Sequence, residues 1–185
     1  STPKKGGTTI KKELPLIIRT YADVMSLMLL YEPNTNVIGQ KVQDLLKHLE
    51  KRLELLYPDK DATTTLSSSS ECQTHMSECY RHAIHAWFKQ QQEQKQKSKE
   101  NNSSRIKSKD ILRDTIHAAQ SAESILDEME YNWYSRYGNL KNDDTNSKMS
   151  SLSPVFVAQP TPEHYHGVIN LWASCFDNID FTMMK

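Results

Sequence analysis

Ser108 to Gly138 reads SKDILRDTIHAAQSAESILDEMEYNWYSRYG, and this stretch decides the fold class. Apolar or small residues recur at Ile111, Thr115, Ala118, Ala122, Ile125, Met129 and Trp133. Steps of three and four place them on one face of a helix. Ser108 is a good N-cap, and Asp110 and Asp114 place negative charge near the positive end of the helix dipole. Gly138 can take the left-handed conformation that ends a helix. A helix over 108–137 follows.

Working outward, the same periodicity recurs on both sides. Leu16 to Tyr31 is apolar on most of its circumference, broken only by Arg19, Thr20, Asp23 and Ser26. Pro15 suits a first helical turn, and Glu32-Pro33-Asn34 stops the helix. A helix apolar nearly all round is expected at the centre of the fold. Ile38, Val42, Leu45, Leu46, Leu49, Leu53 and Leu56 form the stripe of a second helix, and Pro58 follows it. Cys72, Met76, Cys79, Tyr80, Ala83 and Trp87 form a third stripe. Beyond Phe88 the chain turns to Gln, Lys and Asn, and fraying into a loop is expected there. Thr161 is a good N-cap with Pro162 at the first helical position. Tyr165, Val168, Ile169, Trp172, Cys175, Phe176 and Ile179 make the last stripe.

The expected architecture is all-α, a helical bundle of about five amphipathic helices with long disordered or low-complexity loops. Helices are placed near 15–32, 37–57, 70–92, 108–137 and 161–180 within a single domain over 13–181. Residues 1–12 are read as a disordered lead-in, and 59–69, 93–107 and 139–160 as flexible loops. In that arrangement the first four helices form two hairpins and the fifth closes the groove. A Val155-Phe156-Val157-Ala158 run is expected to lie extended on the bundle. No repeat of fixed 30–45-residue period stands out, which disfavours a solenoid.

Composition narrows the function. Formal net charge is zero, so global charge singles out neither nucleic acid nor an acidic membrane. Three cysteines without a framework fit a reducing compartment, and Cys72 and Cys79 on one helix lie about 10 Å apart, too far for a disulfide. No signal peptide is visible and the apolar runs look too short and interrupted to span a bilayer. The expectation is an intracellular protein of cytoplasm or nucleus, without membrane insertion.

Cys72, His75, Cys79, His82 and His85 resemble zinc-ligand spacing as a string. On one helix they spread over some 20 Å, whereas a zinc ion needs four donors near one point, so no metal is assigned. His164 and His166 point apart on a helix and are placed at the surface or at an interface. No phosphate loop, nucleophile–base signature or carboxylate cleft appears, so neither catalysis nor a cofactor is assigned.

Two segments remain. Tyr131, Tyr134, Arg136 and Tyr137 close the long helix with residue types that dominate binding hot spots. Tyr131 and Tyr134 are expected on the surface, away from the seam of Trp133 and Tyr137. The basic stretch 89–109, with Lys95, Lys97, Lys99, Arg105, Lys107 and Lys109, offers phosphate or nucleic-acid contact. Thr2, Ser153 and Thr161 each precede proline and are candidate phosphorylation sites. The function expected is a non-catalytic protein-interaction domain of a larger eukaryotic regulatory or scaffold protein. Its partner, a helix or short peptide, would dock in a groove between helices. The alternative is a nucleic-acid or chromatin-associated helical domain.

Overall fold

The structure, a computed structural model, describes residues 7–56, 70–100, 105–137 and 157–176. It is an all-α bundle of five helices: α1 (Gly7–Tyr31), α2 (Ile38–Leu56), α3 (Ser70–Glu100), α4 (Arg105–Tyr137) and α5 (Pro162–Phe176). A 3-10 turn, Thr35–Val37, joins α1 to α2. Among the described residues, Val157 and Ala158 lie non-helical and buried ahead of α5.

The helices are layered in chain order. α1 packs on α2 and α3, α2 on α3, α3 on α4 and α5, and α4 on α5. Only α3 packs substantially on all four others. The fifth helix therefore does not close a groove over both hairpins; it sits at one end of a stack. The central helix is α3 rather than α1. Cys79, Tyr80, Ala83, Ile84, Ala86 and Trp87 are all buried on it, whereas α1 leaves Leu16, Val24, Leu27, Leu30 and Tyr31 exposed.

This layering exposes a repeat that a fixed-period search misses. Thr20–Met28 (TYADVMSLM), Cys79–Trp87 (CYRHAIHAW) and His164–Trp172 (HYHGVINLW) lie in the same register on α1, α3 and α5. Val42–Leu53 on α2 and Ala122–Trp133 on α4 correspond in the same way, with Leu46 and Leu49 matching Leu126 and Met129 in the core. The units are separated by polar connections of unequal length, so no constant spacing survives. Stacked hairpins that touch only their neighbours are the architecture of helical repeats.

Three helix boundaries differ from expectation. α1 begins at Gly7, within the stretch read as a lead-in, and Pro15 lies inside it. Proline deletes one backbone donor, and the turns on either side carry the helix through. The apolar stretch Glu13–Tyr31 also reaches the length and hydropathy of a membrane span, 19 residues at a mean of 1.3, which the sequence reading had denied it. α3 runs to Glu100, through the segment expected to fray. Its polar tail is held by polar contacts. Gln91 Nε2 donates to the carbonyls of Leu171 (3.3 Å) and Thr115 (3.4 Å). The Lys95 ammonium donates to the Ser174 carbonyl at 2.8 Å and to its hydroxyl, and Thr35 donates to Glu93. α4 starts at Arg105, ahead of the expected Ser108 cap.

The tightest inter-helix approach is at Gly39 near the start of α2. A Cβ there would lie 2.4 Å from the Trp87 ring, and the Gly39 N–H donates to Gln90 Oε1 at 2.9 Å. Trp87 is fully buried and its indole N–H donates to Gln43 Oε1 at 3.0 Å, so the ring cannot step aside. Gly39→Ala is expected to lower stability by ~1–2 kcal/mol, overpacking outweighing the gain in helix propensity. A reduced denaturant midpoint at unchanged m checks this; a midpoint equal to or above the parent's refutes the tight approach.

Candidate functional site

The helix junctions set the geometry from which any site is built. Tyr80 on α3 donates its hydroxyl to Glu50 on α2 at 2.6 Å. One repeat later, Tyr165 on α5 donates to Glu130 on α4. Each bond ties the first helix of a hairpin to the second helix of the hairpin before it. Donating that bond to the Glu130 carboxylate pushes the Tyr165 hydroxyl up to about 12. At the inner junction, burial pushes the Glu50 carboxyl up to about 7 against the Tyr80 bond, with Glu128 and Glu54 adding repulsion and Lys47 opposing it.

The N-terminus of α5 is locked onto α3 by His164. Thr161 caps the helix as expected, and its backbone N–H donates to His164 Nδ1 at 3.1 Å. The ring's Nε2–H donates to the Ser77 carbonyl on α3 at 3.0 Å. This is the reciprocal half of a capping box, with histidine in the role of Glu or Gln. Those bonds fix the neutral tautomer, and burial holds the imidazole below its ordinary range. His164 is 1% exposed and sits at the α3–α5 interface, the second of the two placements expected for it: a histidine at the third helical position reaches back to its own cap and is covered by the neighbouring helix.

This clamp leaves a groove between α3 and α5. A cleft of about 520 Å³ lined by Gln73, Thr74, Arg81, Gln159 and Glu163 opens at one end. A second hollow of about 350 Å³ carries on along the helices past Arg81 and Glu163, lined by His85, Phe88, His166 and Asn170. Gly167 forms its floor; a Cβ there would meet Ile84 Cγ2 at 2.7 Å, so glycine lets α5 settle against α3. Burial, reinforced by the Arg81 charge, holds the His82 and His85 rings below their ordinary range. Near neutral pH the groove thus carries Arg81 as its cation, Glu78 and Glu163 as its anions, and uncharged His85 near Asn170.

The positions singled out from sequence fall elsewhere. Tyr131 and Tyr134 are 65% and 61% exposed, as expected, beside the α4–α5 junction. They do not line the groove. Arg136 and Tyr137 lie on α4, but their side chains are outside the described residues. In the basic stretch, Lys89 donates to the Leu29 carbonyl, Lys95 to Ser174, and Lys97 to Asn36 Oδ1 at 3.2 Å. The side chains of Lys99, Arg105, Lys107 and Lys109 are outside the described residues, as are Thr2 and Ser153. The Thr161 hydroxyl is engaged with His164 Nδ1 at 2.8 Å in the α5 cap. Of the zinc-like string, Cys72 and Cys79 are buried in the core, while His75 faces Glu78 at 3.2 Å and His85 is at the surface. Cys79 Sγ contacts the Ile18 carbonyl at 3.8 Å, and burial pushes its thiol up to about 12. Cys175 is also buried.

Sequence reasoning missed the groove because its walls come from helices far apart in the chain. The shared register of Tyr80 and Tyr165 was the available signal: it pairs Arg81 with His166 and His85 with Asn170. Compared with protein-family models, with curated proteins and with solved structures, the chain finds no match.

The Glu50 junction has a pH signature. A carboxyl whose folded pKa is raised keeps its proton longer in the folded state, so its contribution is fully present below the ordinary value of 4.5. That contribution is lost as pH rises toward about 7 and is flat above it. The loss amounts to ~3 kcal/mol at most. Glu50→Gln is expected to keep the Tyr80 bond and flatten the stability profile between those limits. Equal slopes for both proteins in denaturant titrations across that window refute the assignment.

Proposed function

We propose that the chain is a non-catalytic interaction segment of a larger scaffold protein and that it holds an extended peptide in the groove between α3 and α5. The observation that carries this reading is the groove itself, framed by two rigid parallel helices and lined by donors and acceptors suited to a peptide backbone. Gln73, Thr74, Gln159 and Asn170 offer amide and hydroxyl groups, Phe88 an apolar contact, and Arg81, Glu78 and Glu163 charges of both signs for register. Helical repeats use the surfaces of successive helices in this way. The reading needs no reaction and no cofactor. Tyr131 and Tyr134 provide a separate exposed aromatic pair on α4, suited to a second contact with the same partner.

Selection from a randomised peptide display library on the purified chain tests the proposal. Peptides that bind the parent are expected to lose at least about tenfold in affinity to the double variant Arg81→Glu, His166→Glu, a change of ~1.4 kcal/mol. Both residues are exposed, so the melting temperature is expected to stay within about 2 °C. A library that yields no binder, or binders indifferent to the double variant, sinks the groove. Binders that fail instead on Tyr131→Ala with Tyr134→Ala move the site to α4.

A further inference from the structure

The two ends of the stack are unequal to its middle. On α3, one side of the helix faces α1 and α2, with Cys79 Sγ against the Ile18 carbonyl and Gln90 on Gly39. Cys79, Ala83, Ala86 and Gln90 on that side are all buried. The other side faces α5, with Ile84 against Gly167. α1 buries only the equivalents of the second side: Ile18, Ala22, Met25 and Leu29. Its equivalents of the first side are Thr20, Val24, Leu27 and Tyr31, flanked by Leu16, and all of these are exposed. α5 shows the reverse. It buries His164, Val168, Leu171 and Cys175 and leaves Ile169 and Phe176 59% and 60% exposed.

We infer that the outer face of α1 is the seat of a further two-helix hairpin of the same design. The occupant's chemistry follows from the two interfaces already formed in this chain. Its first helix would present medium and small apolar residues, as α1 presents Ala22, Met25 and Leu29 to α3. Its second helix would carry a Val/Leu stripe like that of α2. A two-helix hairpin is the fitting occupant because each first helix here seats on both helices of the hairpin before it, α3 on α1 and α2, α5 on α3 and α4. Exposed apolar area of this extent on one helix is a partner site rather than a solvated face. The same logic marks Ile169 and Phe176 as the seat of the next hairpin along. This inference rests on the packing register and is independent of what the α3–α5 groove binds.

The test is a fusion in which a second copy of residues 70–160 precedes the full chain, so that its hairpin reaches α1 through the connection that naturally leads from α4 to α5. Amide exchange of residues 16–31 is expected to slow at least about tenfold relative to the unfused chain. Leu27→Glu is expected to lower the fusion's melting temperature by about 4 °C or more and the unfused chain's by less than about 2 °C. A fusion that aggregates, or one that leaves exchange on α1 unchanged, overturns the inference. So does sedimentation of the unfused chain as a dimer that Leu27→Glu dissociates, which would give the seat to a second copy. Binding of the unfused chain to phosphatidylcholine–phosphatidylserine vesicles, abolished by the same change, would give it to a lipid surface and overturn the inference equally.

Discussion

Everything in this fold depends on α3 being packed from both sides at once. A helix at the edge of a domain needs one apolar stripe, whereas one between two hairpins must bury most of its circumference. α3 meets this over a short span with unlike residues: Cys79, Ala83 and Ala86 are small where α1 and α2 press in, while Ile84 fills the side toward α5. Tyr80 and Trp87 resolve the remaining conflict. Both are fully buried, yet each keeps a polar atom that α2 must satisfy, through Glu50 and Gln43. Burial without those acceptors would leave a stranded donor at a cost comparable to the hydrogen bond itself. The two bonds therefore fix the angle and register of α2 on α3, a job nonspecific apolar contact does poorly.

The polar end of α3 follows a different rule. Residues 89–97 contain almost no apolar side chain, yet they dock. The first helices of successive hairpins run parallel, so their C-termini lie near the same level on α3. Those termini expose carbonyls at the negative end of each helix dipole. Lys89 donates to a carbonyl in the last turn of α1 and Lys95 to one in the last turn of α5. The lysines thus complete two neighbouring helices rather than forming a free basic surface, which removes Lys89 and Lys95 from the electrostatic footprint a nucleic acid would need.

The legible part of this protein was whatever one helix states by itself. The 3.6-residue stripes gave five helices, the Thr161–Pro162 start of α5 and the exposure of Tyr131 and Tyr134, because these follow from local chemistry. What needed a second helix was not legible. An all-apolar α1 looked central because periodicity cannot distinguish a helix buried on all sides from one whose partner face is bare. The choice between surface and interface for His164 stayed open because one partner, Thr161, is local and the other, the Ser77 carbonyl, is not. The α3 tail looked loose because docking through amide and ammonium groups leaves no hydrophobic period.

The same separation explains why the groove and the repeat were hidden together. Both rest on the equivalence of Tyr80 and Tyr165, which the sequence obscures by placing polar connections of different lengths between hairpins. Once the helices are stacked, connection length no longer matters, because the loop-closure cost grows only slowly with added residues. What packing constrains is the nine-residue unit on each first helix and, at Tyr80 and Tyr165, the carboxylate that meets its tyrosine; Tyr21 on α1 meets His48 instead. The unit at α3 departs from the other two: it carries Ala83 and Ala86 where α1 carries Val24 and Leu27 and α5 carries Val168 and Leu171. Larger side chains on that face hold the next layer further out or demand smaller residues from it. A hairpin seated on α1 therefore meets the same Val/Leu face that α5 turns to the α3–α4 hairpin, whereas the α1–α2 hairpin meets the two alanines of α3.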